Sequence, residues 1–206
     1  MAKIITVWGN PGSGKSMFCC NLAKTLTAGK EKAIIISADS CTPMLPVWMP
    51  DRHLSTQISI GKVLTSLEIN TAIIAEHIVL LKEYPFIGVM GYAAGENPLS
   101  YPELKYDKIR LFMSEASRLV DYLILDCNSD MMNIFPQNSL IIVTGDQEIG
   151  DLQTMDNRNF YWKSYGSTAK NVTTYISGAN QEYFIPKDQE KIDNTDIGKK
   201  LKEMIQ

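Results

Sequence analysis

The run KIITVWGNPGSGKS at residues 3–16 restricts the fold more than any other part of the chain. Ile4, Ile5, Thr6, Val7 and Trp8 are β-branched or aromatic, which predicts a short buried strand. The character changes at Gly9. Glycines at 9, 12 and 14 let the backbone curl so that successive N–H groups face inward, and the helix-forming run KSMFCCNLAKTLTAGK follows at once. The start of that helix adds partial positive charge to the same concavity. Within the pattern G-x-x-x-x-G-K-[ST], Lys15 is placed to reach the β- and γ-phosphates of a nucleotide, and the Ser16 hydroxyl to complete the coordination of Mg²⁺. The binding set predicted on this pattern is Gly9, Asn10, Pro11, Gly12, Ser13, Gly14, Lys15, Ser16 and Met17. A glycine-rich turn that binds nothing would leave Lys15 unexplained.

The rest of the chain alternates in the same manner. The first helix is expected to stop near Gly29, with Lys24 and Lys30 near its negative end. KAIIIS (32–37) reads as a fully buried strand, after which Pro43, Pro46 and Pro50 forbid regular structure. Short helices are expected around 62–67 and 69–76. HIVLLK (77–82) and FIGVMGY (86–92) read as strands, the first also as the end of a helix. Leu104, Ile109, Leu111, Phe112, Ala116 and Leu119 suit an amphipathic helix after Pro102. DYLILDC (121–127), SLIIVTG (139–145) and NVTTYIS (171–177) are further strands, with helices expected at 146–157 and 195–206 and a polar surface loop at 178–194. This order predicts an α/β chain, a three-layer P-loop NTPase fold with a mainly parallel sheet flanked by helices, and one domain over residues 1–206.

Two carboxylates complete the expected site. A P-loop needs an acidic residue at the end of a neighbouring strand to hold the magnesium shell, and YLILDC supplies Asp126. The same residue could instead be a simple cap or turn former. Asp39 follows the strand AIIIS and would lie beside the γ-phosphate, orienting an attacking water, if that strand neighbours the P-loop strand. An Asx-turn leading into the proline-rich loop is the plainer reading.

With 45% hydrophobic and 21% charged residues, the chain can bury one sizeable core. A net charge of -3 gives no global basic field, so DNA or a membrane surface gains no support as a partner from bulk charge. Cys19, Cys20, Cys41 and Cys127 show no C-x-x-C spacing, and His53 and His77 lie apart, which excludes a zinc ligand set and suggests free thiols in a reducing compartment. The N-terminal apolar run is too short for a secretion signal, and no stretch approaches a membrane span. A cytoplasmic location is therefore expected.

Taken together, GNPGSGKS, IIISADS and VDYLILDC resemble the ParA/MinD group of P-loop ATPases, the deviant Walker A (SIMIBI-class) proteins that partition plasmids and position cellular machinery. The resemblance runs over residues 1–145 and implies ATP and Mg²⁺ as cofactors, an ATP-dependent homodimer, and an unidentified protein cargo or regulator. It also implies that Lys15 and Asp39 are the catalytic pair, with Ser16 and Asp126 at the metal. That family places a lysine directly after the first glycine and sends it across the dimer to the partner's phosphates; here the position is Asn10. Asparagine can donate a hydrogen bond but cannot neutralise a phosphate. The family's D-x-D reads Ser37-Ala38-Asp39, and CNSDMMN replaces its usual small residue and prolines after Asp126. Such departures are similar to those of the divergent TadZ/CpaE-like branch, though without its N-terminal receiver-like domain, so a stand-alone ATPase domain is expected.

Two other functions fit a P-loop of this size. A small-molecule kinase would use several arginines to clamp the transferred phosphoryl group, and this chain has only Arg52, Arg110, Arg118 and Arg158, with no lid cluster. A weakly or non-hydrolysing ATP-dependent scaffold is the reading that Asn10 favours. A GTPase is disfavoured because no N-K-x-D follows a late strand. The loop at 90–103 is a candidate for partner or dimer contacts, and the terminal helix, with Ile197, Leu201, Met204 and Ile205 on one face and lysines around it, is either a docking helix or a membrane-surface one.

Overall fold

The first strand, β1 (Lys3–Gly9), lies at the centre of the sheet, where Ile5 and Val7 on one face and Thr6 on the other are buried. The computed structural model describes residues 1–9, 15–38, 45, 58–102 and 105–127, together with the strand backbones 140–146, 160–165, 171–176 and 181–186. After β1 come helix α1 (Lys15–Leu26) and strand β2 (Ala33–Ser37). Helices α2 (Ile60–Thr65) and α3 (Thr71–Glu76) precede the two-residue strand β3 (Val79–Leu80) and strand β4 (Ile87–Met90). Helix α4 (Tyr106–Ala116) leads into β5 (Tyr122–Cys127). Strands β6 (Leu140–Asp146), β7 (Phe160–Tyr165), β8 (Asn171–Ile176) and β9 (Gln181–Pro186) complete a nine-stranded sheet in the order β3-β4-β2-β5-β1-β6-β7-β8-β9.

The six strands from β4 to β7 in that order are parallel, and antiparallel strands occupy both ends: β3 against β4, and β8 and β9 beyond β7. The expected α/β architecture is therefore present. Side chains alternate between two faces, and each face has its own core. Ile5, Val7, Ile35 and Ile124 pack with Phe18, Cys19, Leu22 and Leu26 of α1. Ile34, Ile36, Leu123 and Leu125 pack on the opposite face with Ile60 and Val63 of α2, Ile74 of α3 and Ile109, Phe112 and Ala116 of α4. Helices thus cover both faces of the sheet at β2, β4 and β5, the arrangement a parallel sheet requires.

Several boundaries differ from the sequence reading. HIVLLK yields only β3, because His77 ends α3 with its backbone N–H directed to the Ile74 carbonyl (3.0 Å). The helix expected across 101–120 begins at Tyr106, after a 3-10 turn at Pro98–Ser100 that has already satisfied the local N–H groups. FYWKSY was not read as a strand and forms β7, while QEYFIP, assigned to the polar loop at 178–194, forms β9. In both, a cluster of aromatic and β-branched residues, Phe160, Tyr161 and Trp162 in one and Tyr183, Phe184 and Ile185 in the other, carries the strand signal that overall polarity obscured. Asp146, read as the start of a helix over 146–157, ends β6 instead, and the remainder of that expected helix and the one at 195–206 lie outside the described residues.

Candidate functional site

Parallel strands bring their carboxyl ends to one edge, and the site residues gather there. The register places Val7 of β1 beside Asp126 of β5, and Asp126 beside Ser37 of β2. In-register neighbours on parallel strands share a face, and Ile5, Ile124 and Ile35, two residues earlier, sit on the face covered by α1. Asp126 therefore points toward α1. The Ser16 hydroxyl, in the first turn of that helix, donates to Asp126 Oδ2 at 2.5 Å. Two residues 110 positions apart in sequence meet as the strand–turn–helix pattern requires.

Burial sharpens the chemistry. Asp126 is 1% exposed and Lys15 5%, so a carboxylate and an ammonium are both withdrawn from water at the start of α1. Buried ionised groups persist only with compensating partners, which makes this edge a place where charge is held ready. The neighbouring thiols respond to it. Burial raises the Cys19 thiol well above its ordinary value, and the negative charge of Asp126 pushes it further, while Lys15 opposes the shift. Cys20 is pushed up to about 11 by burial and then by Asp126. Cys19 and Cys127 contribute to cores on opposite faces of the sheet, so they cannot pair as a disulfide.

Of the predicted site, Lys15, Ser16 and Asp126 are brought together, and Met17 is half exposed one residue further along α1. The backbone of Gly9 ends β1, opposite Thr144 of β6. Asn10, Pro11, Gly12, Ser13, Gly14 and Asp39 lie outside the described residues. The condition attached to Asp39 is not met as stated: β2 is separated from β1 by β5. The order β2-β5-β1 instead sets the end of β2 against Asp126 itself, and the Ala38 N–H donates to the Asp126 carbonyl at 2.9 Å. Among the described residues, no group of three or more His, Cys, Asp or Glu could hold a metal ion, and no helix is long and apolar enough to cross a membrane.

A second polar cluster, not foreseen in the sequence, occupies the same edge beyond β4. Ser59 is fully buried; its Oγ accepts from the Gly61 N–H at 3.2 Å and from the Tyr101 hydroxyl at 3.2 Å. Glu96 accepts from the Ala93 N–H at 3.3 Å, and Asn97 and Ser100 close a capping box around the 3-10 turn. Hydrogen bonds to Ser59 and Tyr101 help hold the Glu96 carboxyl below its usual range, although burial acts in the opposite direction. The segment following β4 is thus a hydrogen-bonded turn. A serine before the apolar run IGKVL was the available sequence signal for its N-cap role.

No protein-family model and no curated protein matches the sequence. Solved structures do match. A plasmid partition protein from Borrelia burgdorferi superposes with a TM-score of 0.59 at 19% identity, covering 76% of this chain and 71% of that one. A cobyrinic acid a,c-diamide synthase from Mycobacterium smegmatis, with bound ATP analogue and magnesium, gives 0.56 at 13% identity over 81% and 75%. A ParA family ATPase from Chlorobium tepidum TLS gives 0.53 at 12% identity over 69% of this chain, which spans only 60% of that protein's length. At such identities the likeness is one of fold alone: the mainly parallel, helix-flanked sheet of this chain is one that these ATP-binding and partition proteins share.

Proposed function

We propose that the chain binds ATP with Mg²⁺ at the edge where β1, α1 and β5 meet, and that it is a ParA/MinD-like nucleotide switch that hydrolyses ATP. The observation that carries this reading is the Ser16–Asp126 contact of 2.5 Å beside the buried Lys15. A hydroxyl and a carboxylate are hard oxygen donors of the kind Mg²⁺ accepts, and their number suits an ion that also keeps waters and substrate phosphates. The residues present therefore fit the cofactor. Ser16 and Asp126 would hold it, and when bound it neutralises charge on the β- and γ-phosphate oxygens.

The chain's own groups do the rest. Lys15 is stationed as a phosphate-binding cation at the positive end of a twelve-residue helix. Asp39, by resemblance, orients the attacking water. Fold likeness to a plasmid partition protein and a ParA family ATPase supports a nucleotide-binding switch, and the sequence resemblance extends the proposal to ATP-dependent dimerisation and cargo positioning in the divergent TadZ/CpaE-like manner without the extra lysine. A cytoplasmic setting agrees with the thiols of Cys19 and Cys20, which burial pushes above their ordinary values. Asn10 favours a second reading, a scaffold that binds ATP and dimerises with little turnover. Phosphate release by purified protein, with and without Asp39→Ala and alongside sizing in ATP, separates them. Turnover lost in the variant supports the switch; ATP-induced dimers without turnover support the scaffold; phosphoryl transfer to an added metabolite overturns both in favour of a kinase.

A further inference from the structure

We propose that His77 is a pH-sensitive latch that ties the N-terminus of α2, and through it the turn after β4, to the carboxyl edge of the sheet. The Ser59 N–H donates to His77 Nδ1 at 3.1 Å across eighteen positions of sequence. An imidazole can accept at Nδ1 only when neutral, with its proton on Nε2. Protonation turns Nδ1 into a donor facing a donor, and the Ser59 N–H, on a residue with no exposure, loses its acceptor.

What hangs on that bond is specific. Ser59 caps α2 and receives the Tyr101 hydroxyl. The next residue, Ile60, donates its N–H to the Gly91 carbonyl at 2.9 Å, which pins α2 to the end of β4. A Cβ placed on Gly91 would stand 3.2 Å from the Ser37 Cβ and 3.4 Å from that of Leu45, so this anchor abuts the end of β2. A continuous path of bonds and contacts joins His77 to the strand that leads into Asp39.

The groups around the imidazole favour its neutral form. Desolvation acts first to lower its pKa from the ordinary 6.5, Lys62 on α2 acts in the same direction, and Glu76 on α3 opposes them. Glu96 and Tyr101 reach it only through Ser59. For a histidine whose folded pKa is depressed, the unfolded chain binds the proton first. The stabilisation is therefore complete above 6.5 and is lost as pH falls through the folded value.

The test compares full-length wild type with His77→Asn, which keeps an acceptor near the Nδ1 position and does not titrate. Unfolding is followed between about pH 8 and about pH 5, and imidazole titration by NMR is assigned with His53→Gln. Going from the upper to the lower end, the wild-type folded-to-unfolded ratio is expected to fall about two- to tenfold more than that of the variant, the net effect of one hydrogen bond. The Ser59 amide resonance is expected to move with the midpoint of His77, below 6.5. Equal pH dependence in the two proteins, or a His77 midpoint at or above 6.5, overturns the latch. Neither readout involves nucleotide, so failure here leaves the proposed ATP site untouched.

Discussion

Lys15 is 5% exposed, and a buried ammonium is stable only where an anion or a set of acceptors meets it. Lys15→Ala removes the phosphate-facing charge, and ATP affinity is expected to fall about tenfold to a hundredfold in a titration, the range for hydrogen bonds to charged groups. The thiols next to the site provide an independent check on its burial and charge. At neutral pH, a Cys20 value of about 11 against the ordinary 9.0 leaves about a hundredfold less thiolate. Timed alkylation mapped by mass spectrometry should show Cys20 reacting slower than a free thiol by about that factor, and Cys19 slower still because it is fully buried. The meeting of Ser16 and Asp126 beside the buried Lys15 was legible in the sequence, because a strand–turn–helix start and an acidic residue at the end of a neighbouring strand come to one edge of a parallel sheet. Ser59 and His77 were not legible, since their meeting depends on how α2 and α3 pack.

At the level of elements, the turn after β4 and helix α2 form one unit, and Gly61 is its tightest point. A Cβ there would stand 2.2 Å from Cε2 of Tyr101. Gly61→Ala is therefore expected to destabilise the protein by about 1–3 kcal/mol in denaturant unfolding. Tyr101→Ala in the same chain should recover part of that loss, because the clash disappears with the ring. Helix α3 rests on its cap, where Asn70 Oδ1 accepts from the Ile73 N–H at 3.0 Å, so Asn70→Ala should cost about 1 kcal/mol. The strands at the centre of the sheet were read correctly because β2, β4 and β5 are continuous apolar runs, the mark of strands buried on both faces. β7 and β9 escaped because Lys163, Ser164, Gln181 and Glu182 dilute that mark on antiparallel or flanking strands, where one face can stay polar.

Across the whole molecule, the sheet order explains why residues scattered through the sequence converge. Placing β5 between β1 and β2 makes Asp126 the shared neighbour of the P-loop strand and the strand leading to Asp39. The central claim is that Ser16 and Asp126 form the magnesium end of an ATP site. Titration of ATP with and without Mg²⁺, on wild type and Asp126→Asn, tests it most directly. Mg²⁺ is predicted to tighten ATP binding by about tenfold or more in the wild type, the scale of one charge-assisted interaction, and by far less in the variant. Equal affinity with and without Mg²⁺ in the wild type, or an undiminished Mg²⁺ effect in Asp126→Asn, would contradict it.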